Sequence, residues 1–189
     1  ANICLKNNSH FICGTTGIDE DLIYQMLKDA SKKNLSFIFS PNFSTGITKI
    51  IKSSFNNMDT INKLTDIMSK KFSGLCIANL SDFDAMYGHN RDSVGYAKAI
   101  EEFDVEVPMI LNKLENDDLL IITADHGNDP TFPGNAHTRE NVPVMVFSRM
   151  FRTPGKLDIL NSMADIGATI AENFDVEAPP IGQSFLDKL

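Results

Sequence analysis

Residues 119–128, LLIITADHGN, decide the fold class. The first six form a mainly apolar run, long enough for a buried strand, and polar residues follow at once. Residues 74–80, GLCIANL, repeat this form, so they predict a second buried strand that ends in a polar loop. Segments with helical periodicity alternate with these strands. The sequence therefore predicts an α/β fold, with a mainly parallel sheet and flanking helices.

The same alternation continues on both sides of this segment. Helices are predicted over residues 19–33, 46–55, 58–68, 93–114 and 162–174, and strands over residues 35–39, 74–80, 119–124 and 142–147. Pro108 is expected to kink or split the long helix. On the last helix, one face is expected to carry the apolar residues Met163, Ile166, Ile170 and Phe174. We expect a single α/β metal-binding core domain over residues 1–189, in which residues 1–18 are of uncertain structure.

Composition excludes several classes of function. The 189 residues carry a formal net charge of −8, which argues against a nucleic-acid partner and against an anionic membrane surface. No apolar run approaches the ~20 residues of a membrane span, and the N-terminal stretch lacks the form of a secretory signal. The cysteines, Cys4, Cys13 and Cys76, are odd in number and scattered. Three reduced thiols in a cytoplasmic protein are the expectation.

Carboxylates and histidines follow the two predicted strands. Asp84 and His89 come after the first strand, Asp125 and His126 come directly after the second, and His137 precedes the strand at residue 142. Because ligands sit outside the carboxyl ends of strands in open α/β sheets, these loops are expected to converge. Their mixture of oxygen and imidazole donors suits Mn²⁺ or Zn²⁺ better than Ca²⁺. Five such groups exceed the needs of one catalytic metal and indicate a two-metal site for phosphoryl chemistry.

Each cluster taken alone has a simpler explanation. An Asp-His pair after a strand is more often a turn with a capping Asp, and a satisfied surface histidine is common. Only the three clusters together favour metal binding.

Other candidate residues are weaker. Arg139 could hold a phosphate or pair with a site acid, and both interpretations stay open. His10 has no carboxylate near it, and Thr16 is a poor candidate for a nucleophile.

Three segments carry a family resemblance. The segment TADHGNDPTFPGNAHTRENVPVMVFS (123–148) closely resembles the C-terminal metal-binding motif of bacterial phosphopentomutases, in the alkaline phosphatase superfamily. NLSDFDAMYGHNRDSVGYAKAIEEFD (79–104) resembles the motif that precedes it, and residues 163–189 are similar to the family's end. Metal-dependent phosphoglycerate mutases share DHGN but usually not these flanks. The resemblance runs from about Phe72 to Leu189, and more thinly from Gly17.

The resemblance implies a two-metal centre and a reaction. The implied Mn²⁺ ligands are Asp84, His89 and His137 for one ion, and Asp125 and His126 for the other. An early Asp and a Thr nucleophile would complete the second set, with Zn²⁺ or Mg²⁺ as alternative metals. Family members are isomerases of nucleoside catabolism that convert ribose 1-phosphate and its 2-deoxy form to the 5-phosphates. They act through a phosphorylated enzyme and a bisphosphate.

The first residues depart from this pattern. Residues 1–16 do not match the family's opening strand, early Asp or Thr nucleophile, so the chain resembles the C-terminal core half, and no nucleophile or substrate-binding residue is assigned. We expect the isolated chain to be inactive and to self-associate through an exposed sheet edge. Two alternatives stay open. One is a non-catalytic metal-binding fragment, and the other is a different metal-dependent phosphomutase or phosphatase of the same superfamily.

Overall fold

The computed structural model describes three short strands near the N-terminus, over residues 11–13, 37–39 and 49–52, and then residues 56–70 and 73–189. The predicted helix 19–33, His10 and Thr16 lie outside the described residues. The chain divides into two compact units, one of Ala1–Thr48 with Ser73–Leu75 and the other of Lys49–Phe72 with Cys76–Leu189. The expectation of one domain over residues 1–189 stays a prediction.

The first unit contains one parallel pair of strands. Strand β1 (Phe11–Cys13) pairs with β2 (Phe37–Phe39), and Phe11 lies opposite Phe37 in the register. Strand β2 falls inside the strand predicted over residues 35–39. Strand β1 lies in the N-terminal stretch where the sequence pattern is weakest.

The second unit carries the remaining elements. In chain order they are β3 (Lys49–Lys52), α1 (Asn57–Met68), β4 (Cys76–Asn79), a π-helix (Phe83–Gly88), α2 (Ser93–Lys113), β5 (Leu120–Thr123), β6 (Val144–Phe147), α3 (Ala164–Asn173) and a 3₁₀-helix (Leu186–Lys188). Strands β3 and β4 pair in parallel, whereas β5 and β6 pair antiparallel. In the part of the chain that the structure describes, no helix is both long and apolar enough to cross a bilayer.

The α/β class is confirmed, but one mainly parallel sheet is not shown. Two pairs are parallel and one is antiparallel, and no ladder joins the pairs among the described residues. The two strands predicted as buried, β4 and β5, are only half-buried. Side chains alternate in exposure along β4 and also along β6, where Met145 is 54% exposed. Alternation of this kind is what a strand shows when only one of its faces is covered.

Two helix predictions need correction. Residues 46–55 were expected to be helical, but Lys49–Lys52 forms β3, because pairing with β4 decides the conformation of a short Ile-rich segment. Helix α2 is one continuous element of 21 residues and is not split at Pro108. Pro108 and Asp104 are both exposed, so the carbonyl that loses its helical donor can bond to water.

Helix α1 holds the start of the loop that follows β4. Asn56 caps this helix by accepting a hydrogen bond from the Asp59 N–H at 2.8 Å. The next residue, Asn57, is buried and exchanges two hydrogen bonds with Asp82: its N–H donates to Oδ2 at 2.8 Å, and its Oδ1 accepts from the Asp82 N–H at 3.0 Å. The loop is thereby fixed two residues before Asp84.

The C-terminal tail is fastened to α3. The hydroxyl of Thr169 donates to the Asp165 carbonyl at 2.7 Å and accepts from the Phe185 N–H at 3.0 Å. The most buried residues of α3 are Asp165, Ala168, Thr169 and Ala171, whereas Met163 is 47% exposed. The predicted apolar face is therefore only partly covered, since Ile166, Ile170 and Phe174 are half-buried. The residues that face inward are small, because the C-terminal tail approaches the helix closely enough for Phe185 to bond to Thr169.

Candidate metal centre

The π-helix brings Asp84 and His89 to the same side of the backbone. The His89 N–H bonds to the Asp84 carbonyl at 3.0 Å, five residues back, so the two side chains lie one above the other. The ring of Phe83 anchors this turn on α2, with ring centroids 5.8 Å from Tyr96 and 6.4 Å from Phe103. A packed aromatic therefore fixes the residue next to Asp84.

Asp84, His89 and His137 form a tight triangle, which we call the triad. The Nε2 atom of His89 lies 3.4 Å from Asp84 Oδ2, and that of His137 lies 3.3 Å from Asp84 Oδ1. The two Nε2 atoms are 3.1 Å apart. Asp84 and His89 are partly buried, and His137 is exposed. Three of the five residues that the sequence indicates thus meet at one point.

A backbone carbonyl determines which nitrogen of His89 is free. The Nδ1 atom lies 2.6 Å from the carbonyl oxygen of Asn135. Because a carbonyl only accepts, Nδ1 must carry the hydrogen, and the neutral ring then presents the lone pair of Nε2 to the triad. This arrangement is typical of metal-ligating histidines, whose second nitrogen donates to an oxygen.

The triangle has the size that a metal ion needs. Ligand atoms at about 2.1 Å from one ion lie roughly 3.0–3.4 Å from each other in octahedral or tetrahedral coordination. The two imidazole nitrogens, 3.1 Å apart, fall in this range. The contacts of 3.3 and 3.4 Å go to different oxygens of Asp84, and one ligand atom from each of the three residues lies within 4.8 Å of the others. One carboxylate with two imidazoles is also a suitable set for Mn²⁺ or Zn²⁺. The triad fits a divalent metal.

Asp125 and His126 lie beside the triad without completing a second set. The ring of His126 stacks on His137, with centroids 3.9 Å apart and planes inclined by 25°. The Asp125 side chain is 80% exposed, and its Oδ2 is 3.8 Å from His126 Nε2. Among the described residues, the triad is the only group of three acids, histidines or cysteines with metal-site spacing. The role of Asp125 and His126 as ligands stays a prediction.

Two residues at the site are not indicated by the sequence pattern, although both stand inside the quoted motifs. The Nδ2 atom of Asn128 donates to Asp84 Oδ1 at 2.6 Å. Arg91 donates through Nη1 to Asn128 Oδ1 at 2.7 Å. Asn128 is only 8% exposed, so its amide needs partners inside the protein. Burial and partners depend on the fold, and the sequence offers no signal for them.

The loop that carries His137 is closed at its base. Gly127 and Thr138 form an antiparallel bridge, in which the Thr138 N–H donates to the Gly127 carbonyl at 3.1 Å. The Thr138 hydroxyl accepts from the Asp129 N–H at 2.7 Å and donates to the Glu140 carboxylate. These bonds fix both ends of the segment between Asn128 and His137. Arg139 is exposed and forms no ion pair within the described ranges.

Charges near the triad move two pKa values. Burial raises the pKa of Tyr96 above its ordinary value, and the Asp84 carboxylate adds to the rise because it opposes a second negative charge. Hydrogen bonds from the Thr131 N–H and hydroxyl lower the pKa of Asp129, and Arg91 contributes in the same direction. Asp129 therefore stays ionised beside the loop.

Comparison with known proteins agrees with the site. The model of the metalloenzyme superfamily matches residues 23–178. Over 140 residues, or 73% of this chain, the sequence is 53% identical to the phosphopentomutase of Clostridium tetani (strain Massachusetts / E88). The matched segment spans 34% of that relative's length. The resemblance to part of a phosphopentomutase is therefore confirmed. Since the superfamily model covers most of the residues, the chain belongs to the metalloenzyme superfamily.

Proposed function

We propose that this chain provides metal-binding residues of a phosphopentomutase. The reaction would interconvert (deoxy)ribose 1-phosphate and (deoxy)ribose 5-phosphate through a phosphorylated enzyme, in the cytoplasm. One observation carries the proposal: the triad combines metal-site spacing with a place in motifs that are shared with a phosphopentomutase. The sequence similarity points to the reaction, and the triad supplies a chemical reason for it.

The triad would hold one divalent ion, for which we propose Mn²⁺, with Zn²⁺ and Mg²⁺ as the alternatives. Asp125 and His126 would contribute to a second ion. A bound ion supplies charge stabilisation and orientation for a phosphoryl group. Asp84 is the only charged member of the triad when both imidazoles are neutral, so a divalent ion held there keeps an excess of positive charge. Such a centre attracts a phosphate monoester.

Residues of the chain prepare this centre in three ways. The Asn135 carbonyl holds the His89 ring with its Nε2 lone pair facing the triad. Asn128 holds one oxygen of Asp84 at 2.6 Å. His126 covers one face of the His137 ring. Because these contacts involve only protein groups, they order the ligands before a metal arrives, which reduces the entropy lost on binding.

Transplantation into the relative tests the reaction. Residues 79–148 of this chain would replace the matching segment of the Clostridium tetani phosphopentomutase, and ribose 5-phosphate formation would be followed with Mn²⁺. We expect activity within about tenfold of the parent enzyme, because the triad and the residues that orient it are transferred together in one segment. The same chimera with His137→Ala is the matched control and should be inactive.

Other outcomes separate the alternatives. A folded chimera that binds Mn²⁺ but releases inorganic phosphate would indicate a phosphatase instead of a mutase. A folded chimera without metal binding would contradict the proposed function altogether. Calorimetry on the 189-residue chain with Mn²⁺, Zn²⁺ and Mg²⁺ identifies the preferred ion independently of turnover.

A further inference from the structure

Arg91 joins the two loops that carry the triad. Its backbone is in the left-handed region, with φ of 54°, a conformation that is uncommon for a residue other than glycine. The guanidinium bonds to five oxygens. Its Nη1 atom donates to the carbonyls of Gly88 at 3.0 Å and Asp129 at 2.8 Å, and to Oδ1 of Asn128 at 2.7 Å. Its Nη2 atom donates to the carbonyl of Ala136 at 2.6 Å, and its Nε atom donates to the carbonyl of Gly134. A single side chain thus binds both the loop after the π-helix and the loop before His137.

The partners of Arg91 fix how Asn128 is oriented. A guanidinium has only donors, so the atom of Asn128 that faces it must be the amide oxygen. The amide nitrogen of Asn128 then points to Asp84. Space around Asn128 is closed, because a Cβ added to Gly88 would lie 2.5 Å from its Nδ2 atom. Asn128 therefore has one orientation, and it delivers a donor to one oxygen of Asp84.

The same guanidinium also acts on both histidines. Ala136, whose carbonyl accepts from Nη2, precedes His137 directly. Gly134, whose carbonyl accepts from Nε, precedes Asn135, and the carbonyl of Asn135 orients the His89 ring. Loss of these bonds would free the segment between its closed ends. Arg91 is thus linked to Asp84 through Asn128, to His137 through Ala136, and to His89 through Gly134 and Asn135.

We propose that Arg91 and Asn128 are positioning residues for the metal centre. Arg91 holds Asn128 and the loop of residues 129–137, and Asn128 in turn sets the carboxylate of Asp84, so that the triad has its metal-binding spacing before any ion binds. The inference rests on the proposed function, since it concerns the same centre. Neither residue contacts the ion itself. A lysine cannot replace Arg91, because an ammonium has a single nitrogen with three donors, whereas the guanidinium reaches five acceptors from three nitrogens.

The test uses the 189-residue chain with Arg91→Lys, Asn128→Ala and the double variant. Arg149→Lys is the matched control, because the guanidinium of Arg149 also donates to several backbone carbonyls. These belong to Leu111, Asn112 and Leu114, at the end of α2, and none of them is bonded to the triad. Zn²⁺ affinity is measured by calorimetry, and the visible spectrum with Co²⁺ reports the coordination geometry. Urea unfolding of the metal-free proteins separates effects on the fold from effects on the site.

We expect Arg91→Lys and Asn128→Ala each to weaken Zn²⁺ binding about 10- to 100-fold and to change the Co²⁺ spectrum. Arg149→Lys should lower the urea midpoint and leave both metal readouts unchanged. The double variant should bind Zn²⁺ no more than about threefold more weakly than the worse single variant, because the two residues act in series. Zn²⁺ affinity within twofold of the parent in Arg91→Lys, or fully additive losses, would overturn the proposal.

Hydrogen exchange distinguishes this proposal from the proposed function. In the metal-free chain, the amides of Asp129 and Thr138 should exchange about tenfold faster in Arg91→Lys and at the parental rate in Arg149→Lys. Unchanged exchange in Arg91→Lys would contradict the positioning role even if the parent binds metal. If the parent bound no metal, the proposed function would fail, and the exchange rates would still decide whether Arg91 holds the two loops.

Discussion

The Nε2 atoms of His89 and His137 lie 3.1 Å apart although 48 residues separate the two histidines in the chain. His89 must present a lone pair there, because its Nδ1 donates to the Asn135 carbonyl. His137 can meet this lone pair with an Nε2–H that donates to it, or with a lone pair of its own when a metal cation lies between the two rings. The carboxylate of Asp84, 3.3–3.4 Å from both nitrogens, favours the positive charge. The fold thus brings two imidazole nitrogens and one carboxylate to a point where they could hold a cation.

Removal of one triad ligand should weaken metal binding strongly. We expect His89→Ala to lower the affinity for Mn²⁺ or Zn²⁺ by a factor of about 10 or more, because two ligands remain where three are needed. Calorimetry of the parent chain should show one dominant step per chain, since Asp125 and His126 find no third ligand among the described residues.

His126→Ala is the matched control for this measurement. It removes a ring that stacks on His137 but is not part of the triad, so the tight step should persist with a smaller loss. Equal losses in both variants, or two equally tight steps in the parent, would contradict the assignment of the tight site to the triad.

A methyl group at Gly88 should disturb the site through packing. The Cβ of Gly88→Ala would lie 2.5 Å from Asn128 Nδ2 and 2.8 Å from its Cγ, so Asn128 or the π-helix must shift, which disturbs the bond from Asn128 to Asp84. We expect a loss of about 1–3 kcal/mol in the free energy of unfolding, together with weaker metal binding. Urea unfolding and Zn²⁺ titration measure the two effects.

Gly155→Ala provides the comparison, because nothing lies within 4 Å of a Cβ at that position. This variant should unfold and bind Zn²⁺ like the parent. If Gly88→Ala behaved in the same way, the close packing between Gly88 and Asn128 would not be required by the site.

The triad illustrates how much of the site can be predicted from sequence. Asp84 and His89 stand out because carboxylates and histidines follow apolar runs, and the topological rule for α/β folds brings such loops together. Arg91 and Asn128 have no comparable signal, since their importance comes from burial and from carbonyl partners more than 35 residues away. Supporting residues are defined by tertiary distances, which a residue pattern does not contain.

The fold shows the same division. Periodicity predicts α1 and α2 well because long amphipathic segments carry many residues of signal. It fails for β3, because a four-residue segment is too short to show a period and its pairing with β4 decides the conformation. On α3 it identifies residues that are only half-buried, whereas Ala168 and Thr169, the latter bonded to Phe185 of the C-terminal tail, are buried more deeply. Short elements and elements covered by distant segments depend on contacts that local pattern does not encode.

The 189-residue chain by itself should show no mutase turnover. No residue of the chain is matched to the family's Thr nucleophile, and covalent catalysis without its nucleophile loses the intermediate itself. A coupled assay with ribose 1-phosphate and Mn²⁺ should give a rate equal to that of buffer with metal. Thr16 is the candidate to check: phosphothreonine at Thr16 after incubation with a sugar bisphosphate, detected by mass spectrometry, would contradict this prediction.

Acid should loosen the connection between α3 and the C-terminal tail. Asp165 accepts hydrogen bonds from the N–H groups of Gln183, Asn161 and Ser162, and the bond from Gln183 is the largest cause that lowers its pKa. Because the folded-state pKa lies below the unfolded value, this carboxylate stabilises the fold above about pH 4, and the contribution is lost as pH falls through the folded pKa. Urea midpoints between pH 7 and pH 2.5 should therefore decline at the acid end.

Asp165→Asn removes the titrating group and serves as the check. The variant should be less stable than the parent at pH 7, because a neutral amide oxygen is a weaker acceptor. The difference between the two proteins should shrink below pH 4. A difference that stayed constant down to pH 2.5 would show that Asp165 does not contribute to the acid sensitivity.

Self-association should begin at the β5–β6 pair. Within the described ranges β5 pairs with β6 alone, and Met145 and Phe147 expose apolar side chains on one face of β6. Unpaired strand edges with apolar neighbours are templates for association. We expect the 189-residue chain to sediment as dimers or larger species at micromolar concentration. Met145→Lys should shift it toward monomer, because a charge at the pair opposes strand addition.

Ile159→Lys is the matched control, since Ile159 is 87% exposed but belongs to no strand. It should leave the sedimentation profile unchanged.

Mn²⁺ should raise the melting temperature of the chain, because an ion that binds only the folded state stabilises it by mass action. A parent chain that sediments as a monomer and melts above roughly 65 °C, with no effect of Mn²⁺, would be too stable for a chain with an open strand edge. That result would show that the edges of β5 and β6 are already satisfied within these 189 residues.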